Sequence, residues 1–213
     1  MFGTVLFDLD GTLTDPGTGI TNSVSYALGK FGITVENRSE LYCFIGPPLF
    51  DSFRDRFGFT PEECDKAITY YREYFSVKGI YENEIYSDTE EMLRTIKRSG
   101  RKIVLATSKP EKFAKIILNY FHIDSYFDFI AGAEMDHTRD KKAEVIAYAL
   151  DKTGVTDLSD AVMVGDRSHD IEGAKAVGIA SIGVLYGYGS EKELRDAGAD
   201  YIVKKARDII SFI

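Results

Sequence analysis

Thr4-Val5-Leu6-Phe7-Asp8-Leu9-Asp10-Gly11-Thr12 is a short apolar run that ends in two carboxylates and a glycine. Val5, Leu6 and Phe7 form a continuous apolar stretch without alternation, the pattern of a strand buried on both faces. Asp8 and Asp10 then stand close together where that strand leaves the sheet for a glycine turn. Neighbouring carboxylates repel and shift each other's pKa unless a cation or a ligand holds them. That is the arrangement a metal-assisted phosphoryl transfer requires: one carboxylate as nucleophile, its neighbour as acid and base, and a hard cation beside the phosphate. The alternative for the same residues is a strand that ends in a polar turn, with Asp10 as a helix cap.

Working outward, the segment 11–19 is a loop rich in Gly, Thr and Pro, and residues 20–31 have a helical pattern stopped at Gly32. Thr60-Pro61-Glu62-Glu63 is a helix start, with Thr at the N-cap, Pro at N1 and Glu at N3. Residues 15–82 read as helices with no convincing strand. From 88 onward the pattern changes to alternation. Strands are expected at 102–106, 127–131, 161–164, 180–184 and 201–203. Helices are expected at 88–98, 111–121, 142–151, 170–177 and 191–197, with a last one running to 213. Alternating strands and helices build right-handed βαβ units and a parallel sheet covered on both faces. The expected fold is therefore an α/β, Rossmann-like three-layer core formed by residues 1–14 and 83–213, interrupted by a helical cap over 15–82. Ligands of such sheets bind at the carboxyl ends of the strands. Asp8 and Asp10, Thr107-Ser108-Lys109 and Gly165-Asp166 all fall at that edge.

The chain has 213 residues with 26 basic and 34 acidic side chains, a formal charge of −8. That balance argues against a nucleic-acid polymer or an anionic membrane as partner, but leaves room for a small anionic substrate. No apolar run approaches a membrane span, and no signal-peptide pattern is visible at residue 1. Two cysteines, Cys43 and Cys64, make neither a disulfide framework nor a zinc spacing, and read as reduced thiols of a cytoplasmic protein. Oligomeric state is not legible.

Four segments, in order, resemble the motifs of the haloacid dehalogenase-like phosphohydrolases. They are Asp8 to Thr12, the strand ending in Leu105-Ala106-Thr107-Ser108, a lysine before a helix at Lys141 or Lys142, and Gly165-Asp166-Arg167-Ser168-His169-Asp170. The resemblance spans essentially the whole chain. The insert after the first motif is similar to the helical cap of the branch that holds phosphoglycolate phosphatase, β-phosphoglucomutase and certain 5'-nucleotidases. The stretches 165–170 and Gly187-Tyr188-Gly189-Ser190 look most like the bacterial 5'-nucleotidase side of it.

The resemblance implies a Mg²⁺-dependent phosphatase acting on a small soluble phosphomonoester, a nucleoside monophosphate or a phosphoglycolate-like compound, through an aspartyl-phosphate. A phosphomutase of the β-phosphoglucomutase type is the alternative. It implies Asp8 as nucleophile and Asp10 as acid and base. The metal would sit on Asp8, the Asp10 carbonyl and Asp166, with Asp170 orienting the metal site or the lysine. Thr107, and the backbone around Gly11, Thr12 and Ser108, would hold phosphate oxygens. Lys142 or Lys141 would neutralise charge; Lys142 stands directly before the helical run and is favoured. The dehalogenases of the family lack the second acid, so Asp10 favours a phosphate ester.

Competing structural roles accompany each expectation. Thr107 and Ser108 could cap the helix after Pro110, and Asp170 could cap the one at 171. Arg167 and His169 read as exposed loop residues, His122 and His137 as structural, and the 183–189 loop as a plain turn. In the insert, Arg54 and Arg72 read as surface charges, and Phe44, Phe50, Phe53, Tyr70, Tyr71 and Tyr74 as its packing.

Overall fold

The computed structural model describes residues 2–135, 138–139 and 141–213. His137 lies outside the described residues. In chain order the elements are β1 (Thr4–Phe7), β2 (Thr14–Asp15), α1 (Gly17–Lys30), α2 (Leu49–Phe57), α3 (Pro61–Tyr74), β3 (Glu84–Ile85), α4 (Thr89–Arg98) and β4 (Lys102–Pro110). There follow α5 (Glu111–Tyr120), β5 (Phe129–Ala133), α6 (Lys142–Thr153), β6 (Ala161–Gly165), α7 (Ser168–Val177), β7 (Ala180–Val184), α8 (Glu191–Ala197) and β8 (Tyr201–Val203). The segment Ala206–Ser211, expected as a final helix, is a 3-10 turn.

The chain divides into two compact units: residues 1–14 with 85–213, and residues 15–84. The second crossing falls at Glu84/Ile85, because those two residues form β3, paired with β2. The first unit is built on a six-stranded sheet in the order β5-β4-β1-β6-β7-β8. Every neighbouring pair in it is parallel. β1 runs between β4 and β6, with Phe7 opposite Leu105 on one side and Val164 on the other. Its four residues are all buried, which is why the run lacks alternation. On one face Leu6, Val104, Ala106 and Met163 pack against Val145, Ile146 and Ala149 of α6 and Ala174 of α7. Alternation of side chains along a strand turns Val5, Phe7, Ile103 and Leu105, also fully buried, to the other face.

β1 is the strand at which the order reverses: the chain builds outward from it to β4 and β5 on one side and to β6, β7 and β8 on the other. In doubly wound sheets that switch point opens a crevice at the strands' carboxyl ends. The fold thus places the residues after β1, β4 and β6 side by side.

The second unit is helical apart from its boundary strands. Its core is aromatic: Phe44 lies edge-on to Phe53 at 4.9 Å, Phe53 stacks on Phe59 at 5.9 Å, and Phe31 meets Phe59 at 4.7 Å. α3 starts with the expected capping box, the Thr60 hydroxyl accepting from Glu63 N–H and the Glu63 carboxylate accepting from Thr60 N–H. Arg54 is a surface charge paired with Asp51 and Asp55. Arg72 departs from the surface reading: it is half-buried, and burial lowers its pKa. Among the described residues no helix is long and apolar enough to cross a membrane.

Loss of the reciprocal cap gives a direct check on this unit. Thr60→Ala is expected to lower unfolding stability by about 1 kcal/mol in urea titration, and Thr60→Ser to retain most of it.

Candidate active site

The turn after β1 is tightly closed. Asp8 N–H still donates to Val164 O of β6 at 2.9 Å, so the nucleophile candidate is held in the sheet ladder. The chain then folds back, with the N–H groups of Thr12, Leu13 and Thr14 all donating to Leu9 O and Gly11 N–H donating to Thr14 O at 2.8 Å. Gly11 takes φ +79°, and a Cβ there would lie 2.2 Å from Asp166 Oδ2. The amides of Gly11 and Thr12, expected to face phosphate, are therefore spent inside the turn. Those of Leu9 and Asp10, beside the carboxylate of Asp8, make no hydrogen bond among the described residues. The fully buried Thr12 hydroxyl instead donates toward Asp166 Oδ1 at 3.5 Å.

Asp166 follows β6, and Asp170 lies one turn on in α7. Asp170 is not the N-cap residue of this helix, a place taken by Arg167, but it helps to close the helix start. At the third helical position, its Oδ2 accepts Arg167 N–H at 3.1 Å, leaving Oδ1 for the site. Lys142, the first residue of α6, extends its buried ammonium to Asp8 Oδ1 at 2.9 Å and Asp170 Oδ1 at 2.8 Å, and donates to Ala106 O at 3.1 Å. Lys141, the other candidate, is exposed as the N-cap residue of the same helix and meets none of the acids. One step along a helix start turns a side chain through roughly 100°, so only one of two consecutive lysines faces the sheet.

Burial alone would push the Lys142 ammonium down; Asp170 and Asp8 overcome this and hold its pKa above the ordinary value. Burial, then the charges of Asp170 and Asp8, push Asp166 well above the carboxylate range, against the opposing N–H of Tyr188. Asp170 is likewise raised by burial, with Lys142 opposing.

Asp10 is drawn away from this cluster. Its Oδ2 accepts from Lys109 Nζ at 2.5 Å, in a pair that is nearly fully buried. Its other oxygen is buried without a hydrogen-bond partner. Burial raises the Asp10 carboxyl and Lys109 offsets only part of that. Lys109 reaches Asp10 because β4 is irregular. Ala106 is opposite Ala131, but Pro110 is opposite Ala133, so β4 carries two extra residues across Thr107–Lys109. A bulge re-aims the side chains it carries. Thr107 is buried, and its hydroxyl accepts Lys109 N–H at 3.2 Å instead of capping α5, which has no side-chain cap. Ser108 is half-buried in the same bulge.

The loop after β7 is more than a plain turn. Tyr188 N–H donates to Asp166 Oδ2 at 2.7 Å. A Cβ on Gly187 would lie 2.2 Å from Gly11 O and 2.5 Å from Asp166 Cβ. The loop therefore packs directly on the carboxylate and fixes its direction. Arg167 is also corrected: it is half-buried and paired with Glu193 at 2.9 Å, while His169 is exposed as expected. His122 is exposed at the end of α5, in the left-handed region at φ +56°.

Asp8, Asp166 and Asp170 each offer an oxygen within 4.8 Å of the others'. Three carboxylates against the one Lys142 ammonium leave two negative charges in a buried site. Asp8 Oδ1 and Asp170 Oδ1 lie at ion-pair distance from that ammonium but lack a hydrogen-bond donor in proper geometry. An all-oxygen set with this excess charge fits a hard divalent cation such as Mg²⁺.

A doubly wound parallel α/β sheet with an acidic centre at its switch point defines the class. A family model described as haloacid dehalogenase-like hydrolase matches residues 5–184, and the chain belongs to that family. A 5'-nucleotidase of Pseudomonas aeruginosa is 46% identical over 191 residues, 90% of this chain and 86% of its own length. The tyrosine-protein kinase PtkA of Mycobacterium tuberculosis is 37% identical over 97% of this chain and 67% of its own. A structure described as a predicted phosphatase from Clostridium acetobutylicum superimposes with a TM-score of 0.97 at 46% identity, covering 100% and 98% of the two chains.

The raised carboxyls set a pH dependence. A group whose folded pKa lies above its unfolded value favours the folded state fully below the unfolded value, near 4 for Asp, and loses that contribution as pH rises through the folded one. Metal-free protein at neutral pH therefore carries a penalty from Asp166 and Asp170 that a bound cation relieves. Mg²⁺ is expected to raise the melting temperature at pH 7.5, by about 2.7 kcal/mol of stability at a hundredfold excess over Kd. The rise is expected to shrink toward pH 5 as protons compete. Asp166→Asn should raise the metal-free melting temperature and remove the response to Mg²⁺. No response in the unaltered protein at any pH would remove the cation from this site.

Proposed function

We propose that this chain is a Mg²⁺-dependent phosphatase of small phosphomonoesters, a nucleoside monophosphate or a phosphoglycolate-like compound, working through an aspartyl-phosphate on Asp8. The observation that carries the proposal is the division of the acids. Asp8 shares Lys142 with Asp170 in the charged cluster, while Asp10 pairs with a different lysine, Lys109. A general acid must hold a proton when the leaving group departs, and burial raises the Asp10 carboxyl in that direction.

In the first step an oxygen of Asp8 attacks phosphorus, the ester P–O bond breaks, and the leaving oxygen takes a proton from Asp10. In the second, Asp10 takes a proton from water, the water oxygen attacks the acyl phosphate, and Asp8 is released with inorganic phosphate. Lys142 balances charge on Asp8 and on the transferring group. The amides of Leu9 and Asp10, which the turn leaves unbonded, would with Thr107 receive phosphate oxygens. Asp8, Asp166 and Asp170 would hold Mg²⁺, which supplies charge neutralisation and in-line orientation of the phosphate. The 46% identity to a 5'-nucleotidase favours nucleoside monophosphates among the substrates.

The test is phosphate release from a panel of small phosphomonoesters in Mg²⁺ and in EDTA. Release that requires metal and falls to background in Asp8→Asn supports the reading; unchanged turnover in Asp8→Asn overturns it. A long-lived phosphoenzyme that needs a sugar bisphosphate would instead mark a mutase.

Lys109 provides a further check. Removing its charge should raise the Asp10 pKa further. In Lys109→Met the alkaline limb of kcat/KM is expected to move up by roughly one pH unit or more, because the acid form of Asp10 persists to higher pH.

A further inference from the structure

The carboxyl edge of the sheet carries a second recess, of about 380 Å³, beyond the ends of β7 and β8. Tyr86 and Tyr186 line it together with Asp88, Lys204, Lys205 and Arg207. Its lining runs from Tyr186, just past β7 and one strand from β6, to Lys204 and Lys205, past β8 and two strands from it. None of the acids or lysines of the candidate active site lines it.

Its charge is out of keeping with the rest of the molecule. The chain carries −8 overall, yet three cations within four residues face one recess. Asp88 is the single acid there, 3.8 Å from Arg207 in an exposed pair. Such a pair contributes little. Lys204 and Lys205 are exposed and have no acidic partner among the described residues. Three like charges against one leave an excess of two positive charges, which a phosphate group would balance. The volume exceeds what inorganic phosphate would occupy, and falls within the range of cavities that take small organic ligands. The Tyr86 and Tyr186 rings, 5.1 Å apart and inclined at 67°, offer an aromatic wall against which a flat ring can pack.

Both aromatic residues are tied to the turn that bears the acids. The Tyr186 hydroxyl donates to Thr12 O at 3.0 Å, and Tyr86 N–H donates to Leu13 O at 3.1 Å. Thr12 in turn reaches Asp166 through its hydroxyl. A molecule seated on the two rings would thus lean on the same backbone that orients Asp8 and Asp166.

We propose that this recess is a second ligand site, for an organic phosphate of nucleotide size. Lys204, Lys205 and Arg207 take the phosphate, and Tyr86 and Tyr186 pack against the ring. The site is separate from the catalytic centre, and the proposal does not depend on what that centre hydrolyses.

The test is titration of the ¹⁵N-labelled protein in EDTA, where turnover is stopped, with ADP and separately with inorganic phosphate. ADP is expected to shift the amide signals of Ser87, Asp88, Lys205 and Arg207 saturably. Phosphate alone is expected to shift them at tenfold higher concentration or more. Lys204→Ala with Lys205→Ala, both exposed and outside the core, should leave the rest of the spectrum in place and weaken ADP at these signals at least tenfold. ADP shifts confined to residues 8–12, 107–109 and 165–170 would overturn the proposal. So would recess shifts that the double substitution leaves unchanged, or phosphate binding there as tightly as ADP.

Discussion

Three buried carboxylates around one buried ammonium are the constraint to which the rest of this structure answers. Asp8 comes from a chain segment far in sequence from the one that carries Asp166 and Asp170, and each of the three is almost fully buried. Removing ionised groups from water costs several kcal/mol apiece unless they are paired. Lys142 pairs with two of them, the Thr12 hydroxyl and Tyr188 N–H support the third, and an excess of negative charge remains. Folding alone gives no reason to keep such an excess, whereas binding a cation does. The sheet order, the closed turn after β1 and the glycine loop over Asp166 all serve to hold like charges near one another.

A second buried charge pair, Asp10 with Lys109, stands beside this cluster. Asp10 is two residues from Asp8, yet their surroundings differ because the chain leaves the sheet after Phe7 and closes its turn on Leu9 O between them. Asp8 shares its lysine with Asp170, whereas Asp10 pairs with Lys109. The bulge in β4 is what brings Lys109 within reach. An irregularity of two residues in the β4–β5 pairing thereby offsets part of the rise in proton affinity that burial gives Asp10.

Most of the fold was legible because its signals are local. The apolar run 4–7, the alternation from 88 onward and the capping box at Thr60 each follow from residues within a turn or two of one another. The acids were legible because buried carboxylates after a strand have few structural uses. What escaped the sequence is what depends on register and backbone direction. Lys109 reads as one more polar residue after a strand until the bulge is known. Gly187-Tyr188-Gly189 reads as a turn, since nothing local shows that Asp166 lies beneath it. The amides of Gly11 and Thr12 looked available, but the turn closes on Leu9 O and consumes them. The choice between Lys141 and Lys142 could be leaned on but needed the helix start to fix which one faces inward.

The central position of β1 also bears on how the chain is made. Thr4–Phe7 leaves the ribosome first among the strands, but its neighbours β4 and β6 begin at Lys102 and Ala161. At ordinary rates of synthesis, of roughly 5–20 residues per second, the strand waits on the order of 10 s for its second partner. An unpaired apolar strand is prone to aggregate during such an interval, and charges at its border oppose this. Asp8 and Asp10 stand at that border, so the acids assigned to the chemistry also keep the nascent strand soluble until the sheet can close around it.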